Sequence, residues 1–326
     1  MTPIETENLK KDYLLGFWRK RPRRALDSLT LQVQENEIFG FLGPNGAGKT
    51  TTLKLLMNLI FPTSGTARIL GRPLDDPAMH RNIGYLPEQP YFYDYLTARE
   101  LLDYFARFFG FQAEERKRRV DHYLERVGLA DAGDLQLRRY SKGMLQRFGI
   151  AQAILHDPQV VFLDEPMSGL DPVGRRQVRD LILDLKREGR TIFFSTHILP
   201  DAETLCDRVA VLCAGRLQGV GSLEELVSLQ VQQVEITFEL PAGAPGPSGL
   251  AGRLTRTGDR YRLEVAEDDV YVALDSLRRI SGRIVSLVQV RPTLEDYFFS
   301  LVERAARTTG EKKVPASESA LGRKEA

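Results

Sequence analysis

Apolar and polar residues along the chain change their pattern twice. In the first stretch, short strand-like segments with a continuous apolar centre recur: "EIFGFLG" at 37–43, "VVFL" at 160–163, "TIFFS" at 191–195 and "RVAVL" at 208–212. Runs of this length without polar alternation read as strands buried on both faces. "LTLQV" at 29–33 alternates instead, as a half-buried strand does. Helical periodicity separates the runs. One helix is expected from Gly48 to about Asn58, with Leu53, Leu56, Met57 and Ile60 on one face, and another over 173–188. Strands alternating with helices predict an α/β fold built on a parallel sheet covered on both sides.

Between "NIGYLPEQ" and "LHDPQVVFLDEP" the pattern is helical at 97–128 and 141–156, with no strand candidates. This predicts a helical lobe, about 89–157, inserted into a domain spanning 1–220. A second change comes near Gly221. Short strands (233–240, 253–265, 283–290) and helices (269–279, 293–305) surround the Pro/Gly loop "PAGAPGPSG" at 241–249. They predict a small separate α+β domain over 221–307. The tail, 308–326, has almost no apolar content and is expected to be disordered.

The chemistry lies at the ends of the buried runs. "GPNGAGKT" (43–50) fits G-x-x-x-x-G-K-[ST], and it stands between a buried strand and a helix, the context this motif requires. Its glycines let successive N–H groups turn inward onto phosphate oxygens, and the helix adds the positive end of its dipole. Lys49 supplies a point charge for β- and γ-phosphates, and Thr50 a hydroxyl for Mg²⁺. A loop that merely turns the chain has no need of a lysine and a threonine at those two places. Asp164 and Glu165 follow "VVFL" at the C-terminal end of a strand, where open α/β sheets bind ligands. Asp164 suits the Mg²⁺ shell. Glu165 can reach a water aimed at the γ-phosphate and act as general base.

The helical lobe holds "RRYSKGMLQRFGIAQAIL". Ser141 can cap a helix whose apolar face is Met144, Phe148, Ala151 and Leu155, and Gly143 lets its first turn approach a ligand closely. Two half-sites for phosphate in one chain imply a head-to-tail pair.

Taken together, these residues resemble the nucleotide-binding subunit of an ATP-binding cassette (ABC) transporter, from about residue 4 to residue 230. "YSKGM" stands at that family's signature, "SGLD" (168–171) at its D-loop and "STH" (195–197) at its switch-histidine segment. The resemblance implies a P-loop NTPase core with an antiparallel β subdomain. It implies ATP held by Gly43, Pro44, Asn45, Gly46, Ala47, Gly48, Lys49, Thr50 and Thr51, with Tyr13 stacked on adenine. Ser141, Gly143 and Asp171 would reach the nucleotide of a second copy or of a similar ATPase subunit. Lys49, Glu165 and His197 would be catalytic, and Thr50, Asp164 and Glu88 would hold Mg²⁺. At the position of Glu88 the family usually has glutamine, and Gln89 follows it here. "SKGM" together with "RPTLEDYF" resembles the subfamily serving exporters, which implies a separate integral membrane permease and a peripheral place on the cytoplasmic face of the membrane.

Composition adds limits. A net charge of +1 gives no overall attraction to nucleic acid, and no apolar run approaches the roughly 18 residues of a membrane-spanning helix. "MTPIETENLKKDY" lacks the apolar centre of a secretory signal. Cys206 and Cys213 fit no zinc spacing and read as buried reduced thiols beside a strand. "WRKRPRR" (18–24) reads as a solvated loop or a contact for anionic lipid, and "ERKRRVDHY" (115–123) as the wet face of a helix. "PYFYDY" (90–95) either packs on the lobe or forms a docking patch. A soluble ABC-type ATPase acting on ribosomes or DNA is the competing function. Such relatives usually carry two cassettes or a long coiled coil, and neither stands here.

Overall fold

The computed structural model describes residues 2–16, 21–227, 233–241, 247, 250–290, 293–299 and 301. The tail expected to be disordered, most of the "PAGAPGPSG" loop and residues 18–20 of the basic run lie outside the described residues. In chain order the first elements are β1 (Ile4–Leu15), β2 (Arg21–Val33), β3 (Ile38–Leu42), α1 (Lys49–Leu56), β4 (Ser64–Ile69), β5 (Arg72–Pro73) and β6 (Ile83–Leu86). The helices α2 (Ala98–Phe108), α3 (Ala113–Arg126) and α4 (Lys142–Ile154) follow. Then come β7 (Val160–Asp164), α5 (Pro172–Arg187), β8 (Thr191–Thr196), α6 (Leu199–Leu205), β9 (Arg208–Cys213), β10 (Arg216–Ser222) and α7 (Leu223–Val227). The last are β11 (Gln233–Glu239), β12 (Arg253–Thr257), β13 (Arg260–Ala266), α8 (Val270–Arg279) and β14 (Arg283–Val290).

The central sheet has the order β10-β9-β3-β8-β7-β6, parallel except for the antiparallel edge strand β10. Every residue of β3, β7 and β8 is buried, because both faces are covered. That is why these strands carry unbroken apolar runs. Alternate residues of β3 serve different cores. Phe39 and Phe41 pack with α1 and with a second, antiparallel sheet, β2-β1-β4-β5. Ile38 and Leu42 face the helices.

The antiparallel sheet was only partly legible from its residues. β1 reads "IETENLKKDYLL", and shifts of register after Thr6, Leu9 and Lys11 break the two-residue alternation a strand pattern needs. The first residues of β2 are exposed, so only "LTLQV" alternates cleanly. β6 is four residues long.

In the lobe, Thr97 and Glu100 cap α2 reciprocally: Thr97 Oγ1 accepts from Glu100 N at 3.1 Å and Glu100 Oε2 from Thr97 N at 2.8 Å. The helical stretch 97–128 is two helices, separated at Gly110 with φ +80°. α4 does not have the single apolar face expected. Met144 is only half-buried, whereas Ile150, Ala153 and Ile154 are buried with Phe148 and Ala151, because α4 threads between the lobe and β6.

The third sheet, β12-β13-β11-β14, is covered by α8 around Val234, Ile236, Phe238, Leu263, Val265, Ala273 and Leu277. The single strand expected over 253–265 is a hairpin, turning at Gly258 with φ +63°. The helix at 294–299 and 301 packs elsewhere than expected. Leu294 and Leu301 lie in the core of the first unit together with Leu226, and Leu294 N donates to Glu203 Oε1 at 2.8 Å.

Candidate functional site

The phosphate loop, 43–50, joins β3 to α1. Gly48 holds φ +111°, and a Cβ there would stand 2.5 Å from the Ala25 carbonyl of β2. Only glycine lets the loop lie this close to the antiparallel sheet. Gly46, at φ +80°, has no atom within 4 Å of where its Cβ would be, so that side of the loop is open.

Lys49 is 6% exposed and its Nζ donates to the Gly43 carbonyl at 2.7 Å. The same ammonium lies 3.4 Å from Glu165 Oε1. Glu165, 5% exposed, sits just beyond β7 with φ +51°, a left-handed conformation uncommon for a glutamate and a candidate for strain kept for function. Its amide donates to Ser195 O at 3.1 Å and approaches Ser195 Oγ at 3.2 Å, which fixes the backbone to β8. Its other carboxylate oxygen, Oε2, lies 2.8 Å from His197 Nδ1. Lys49, Glu165 and His197 are thus joined through one carboxylate.

Asp164 ends β7 one residue earlier. Oδ1 accepts from Ser195 Oγ at 2.5 Å, and the Thr50 hydroxyl also hydrogen-bonds this carboxylate. Oδ2 is buried with no hydrogen-bond partner among the described residues. Burial pushes this carboxyl above its ordinary value. The hydrogen bonds from Ser195 and Thr50 oppose the rise, and the charges of Glu88 and Glu165 add to it. Glu88 and Gln89 are both exposed, but the Glu88 charge acts on Asp164 and on Tyr85, whose phenol is pushed up to about 12, chiefly by burial. An orphaned buried carboxylate oxygen beside a threonine hydroxyl, with a second carboxylate near, is an all-oxygen set of the kind Mg²⁺ takes when phosphates and waters complete its shell. The residues fit the ion.

The other expected residues stand on separate elements, each with local partners. Ser141 caps α4 by accepting from Met144 N at 3.2 Å. Asp171 caps α5 by accepting from Gly174 N at 2.8 Å. A Cβ on Gly143 would meet only Leu170 and Ser141, at 4.0 Å, so its outer side has room. The Lys142 side chain fills the space above Gly169, where a Cβ would stand 2.1 Å from Nζ, and so ties the start of α4 to "SGLD". Tyr13 lies within β1, opposite Arg23 of β2, with Lys11 Nζ 5.3 Å from its ring centre. The rest of the expected loop set, Pro44, Asn45, Ala47 and Thr51, is in place beside Lys49 and Thr50, with Asn45 exposed.

Sequence reasoning gave Ser195 no role, although "STH" contains it. It anchors both acids, a task visible only once β7 and β8 are neighbours. Asp201, in the first turn of α6, was also missed. Burial pushes its carboxyl up, Arg175 and Arg179 pull it down, Glu165 adds to the rise and His197 opposes it.

The aromatic run at 90–95 divides. Phe92 packs edge-on to Phe148 at 5.0 Å and belongs to the lobe core. Tyr91, Tyr93 and Tyr95 are exposed, and Tyr93 continues through Tyr104 (6.4 Å) to Phe108 (5.0 Å from Tyr104) as an aromatic row along α2. Cys206 is buried and Cys213 half-buried at the end of β9. Among the described residues no helix is long and apolar enough to cross a membrane.

Residues 26–168 match the profile of the family described as ABC transporter. An uncharacterized ABC transporter ATP-binding protein of Synechocystis sp. is 45% identical over 94% of this chain and 87% of its own. The bacitracin transport ATP-binding protein BcrA of Bacillus licheniformis is 42% identical over 66% of this chain and 68% of its own. Among solved structures, an ATP-binding subunit of an ABC transporter superposes with TM-score 0.62 at 32% identity, covering 70% of this chain and 93% of its own. A dimeric ATP-binding cassette in a post-hydrolysis state, bound to ADP and Pi, gives TM-score 0.61 at 26% identity, covering 68% of this chain and 98% of its own.

Proposed function

The chain belongs to the ABC transporter family as an ATP-binding subunit with ATPase activity, and from that premise we propose that it powers export through a separate membrane-spanning permease, two copies closing on ATP. The observation that carries the site assignment is the Glu165 carboxylate set between Lys49 and His197 at the C-terminal edge of a parallel sheet. In this reading the loop amides and Lys49 bind the β- and γ-phosphates. Lys49 leaves the Gly43 carbonyl and Glu165 for the nucleotide. That frees Glu165 to take a proton from the attacking water. His197, held through Nδ1, presents its other ring nitrogen toward the γ-phosphate. Thr50, Asp164 and Glu88 hold Mg²⁺, which neutralises phosphate charge when bound. Ser141 and Gly143 at the start of α4, with Asp171 before α5, close over the nucleotide of the second copy. Lys142 packed on Gly169 keeps those elements in register.

Division of the chain into an ATPase domain (1–220, with the lobe at about 89–157) and an accessory domain (221–307) belongs to the same proposal. Tyr91, Tyr93, Tyr95, Tyr104 and Phe108 form the surface on which a permease helix docks, since aromatic side chains are the usual anchors of an interface. The subunit would then sit peripherally on the cytoplasmic face of the membrane. Relatedness to a bacitracin transport protein supports transport as the task. Purifying the tagged Glu165→Gln chain with ATP from detergent-solubilised membranes tests the partnership. A polytopic membrane protein in stoichiometric amount is expected, and its absence, with only ribosomal or DNA-bound material recovered, would reject a transport role.

A further inference from the structure

His197 stands in a short link between a strand and a helix. β8 ends at Thr196 and α6 starts at Leu199, so only His197 and Ile198 lie between them. The β8 side of the link is fixed, because β8 pairs with β3 on one edge and β7 on the other. The α6 side has less support of its own. α6 spans Leu199–Leu205, and Ile198 before it makes no side-chain capping bond. A helix of about two turns keeps its place through tertiary packing. Leu199, Ala202 and Leu205 supply that packing on the inner face, in one core with Ile38 of β3 and Phe194 of β8.

The outer face is held by the far end of the chain. Thr293 and Asp296 cap the helix at 294–299 and 301 reciprocally. Thr293 Oγ1 accepts from Asp296 N at 3.2 Å, and Asp296 Oδ2 accepts from Thr293 N at 2.9 Å. The Leu294 amide is taken by α6 instead, donating to Glu203 Oε1 at 2.8 Å. A carboxylate there also meets the positive end of the helix dipole, and a hydrogen bond to an ionised acceptor is the stronger kind. Leu294 and Leu301 are buried in the same core as the inner face of α6. The Tyr297 hydroxyl fills the space over Gly219 of β10, where a Cβ would stand 2.3 Å from it. Leu226 of α7 reaches the same spot at 3.8 Å. The chain therefore enters and leaves the small sheet β12-β13-β11-β14 at one place.

We infer that Glu203 is a positioning residue for His197: it ties α6 to the helix at 294–299 and 301, and α6 sets where His197 stands. The inference rests on the role proposed above for His197. It also links the small sheet to the nucleotide site, since three residues after β14 the chain forms the helix that Glu203 holds.

Single-turnover ATP hydrolysis, nucleotide titration and thermal melts of the full-length Glu203→Ala and Glu203→Gln chains test this. Glu203 is exposed, so both variants should melt close to the wild type. Glu203→Ala should hydrolyse ATP about fivefold more slowly with unchanged ATP affinity, the size of effect one lost hydrogen bond gives. Glu203→Gln still offers Oε1 to the Leu294 amide and should keep most of the rate. In a His197→Ala background Glu203→Ala should cost nothing further, because the group it positions is gone. A Glu203→Ala chain at wild-type rate, or the same fivefold loss repeated in the His197→Ala background, would overturn the inference and leave His197 in the mechanism. A His197→Ala chain at wild-type rate would overturn the role of His197 and this inference with it.

Discussion

Glu165 accepts a hydrogen bond from His197, with Oε2 lying 2.8 Å from Nδ1, while its other oxygen faces the Lys49 ammonium at 3.4 Å. A carboxylate can only accept, so Nδ1 carries the hydrogen and Nε2 is left to face the γ-phosphate. His197→Ala should therefore bind ATP with near-normal affinity and lose roughly 10²–10⁴ in turnover. Steady-state ATPase rates beside a fluorescent-nucleotide titration check this. Turnover within a few-fold of the wild type would remove His197 from the mechanism.

Ser141 and Asp171 each cap their own helix, and Gly143 has an open side. If that side receives the second copy's nucleotide, Lys49→Ala and Ser141→Arg chains should each fail to dimerise with ATP. Mixed, they should form heterodimers in which one composite site carries both defects and the other is intact. Light scattering of the mixture should show ATP-dependent dimers absent from either variant alone.

Phe92 and Tyr93 are adjacent in sequence and opposite in role: one packs edge-on to Phe148, the other is exposed beside Tyr104. Tyr93→Ser with Tyr104→Ser should release the subunit from membranes while basal ATPase persists. Phe92→Ala should instead cost about 3–5 kcal/mol of stability by leaving a cavity in the lobe. Membrane flotation and urea unfolding distinguish the two.

His156 couples the lobe to the sheet. Its ring stacks on Phe109 at 4.0 Å, and Nε2 lies 2.9 Å from the Ile83 carbonyl, so Nε2 must be the donor. Nδ1 is buried with no partner among the described residues, and burial lowers the pKa from 6.5. A histidine with a lowered folded pKa binds more protons unfolded, so stability falls as pH drops below about 6.5 and levels off below the folded value. His156→Phe should flatten that part of the Tm–pH curve. An unchanged slope would place the acid sensitivity elsewhere.

Much of this was written in the residues, for identifiable reasons. β3, β7, β8 and β9 announce themselves because burial on both faces removes all alternation, and the loop 43–50 because phosphate binding demands glycine, lysine and threonine in fixed order. β1 stayed hidden, since shifts of register break its period and most of its side chains are polar. The segment 253–265 is a hairpin closed by the two-residue turn Gly258-Asp259, a signal that outweighs the continuous strand-like composition on either side of it. The destination of Leu294 and Leu301 was invisible locally, as a helix's apolar stripe does not say which core it meets. Ser195 is the comparable case within the site: its role needs β7 and β8 side by side.

The central claim is that Glu165 activates the water that attacks ATP. Glu165→Gln keeps the shape and much of the hydrogen bonding at this buried position and removes only the basic carboxylate. Rapid-quench measurement of a single turnover with Mg²⁺ and ATP, run alongside size-exclusion chromatography, tests it most directly. The expected result is hydrolysis slowed by about 10²–10⁴ with ATP still bound and the protein accumulating as a dimer. Hydrolysis at a near wild-type rate would contradict the assignment outright.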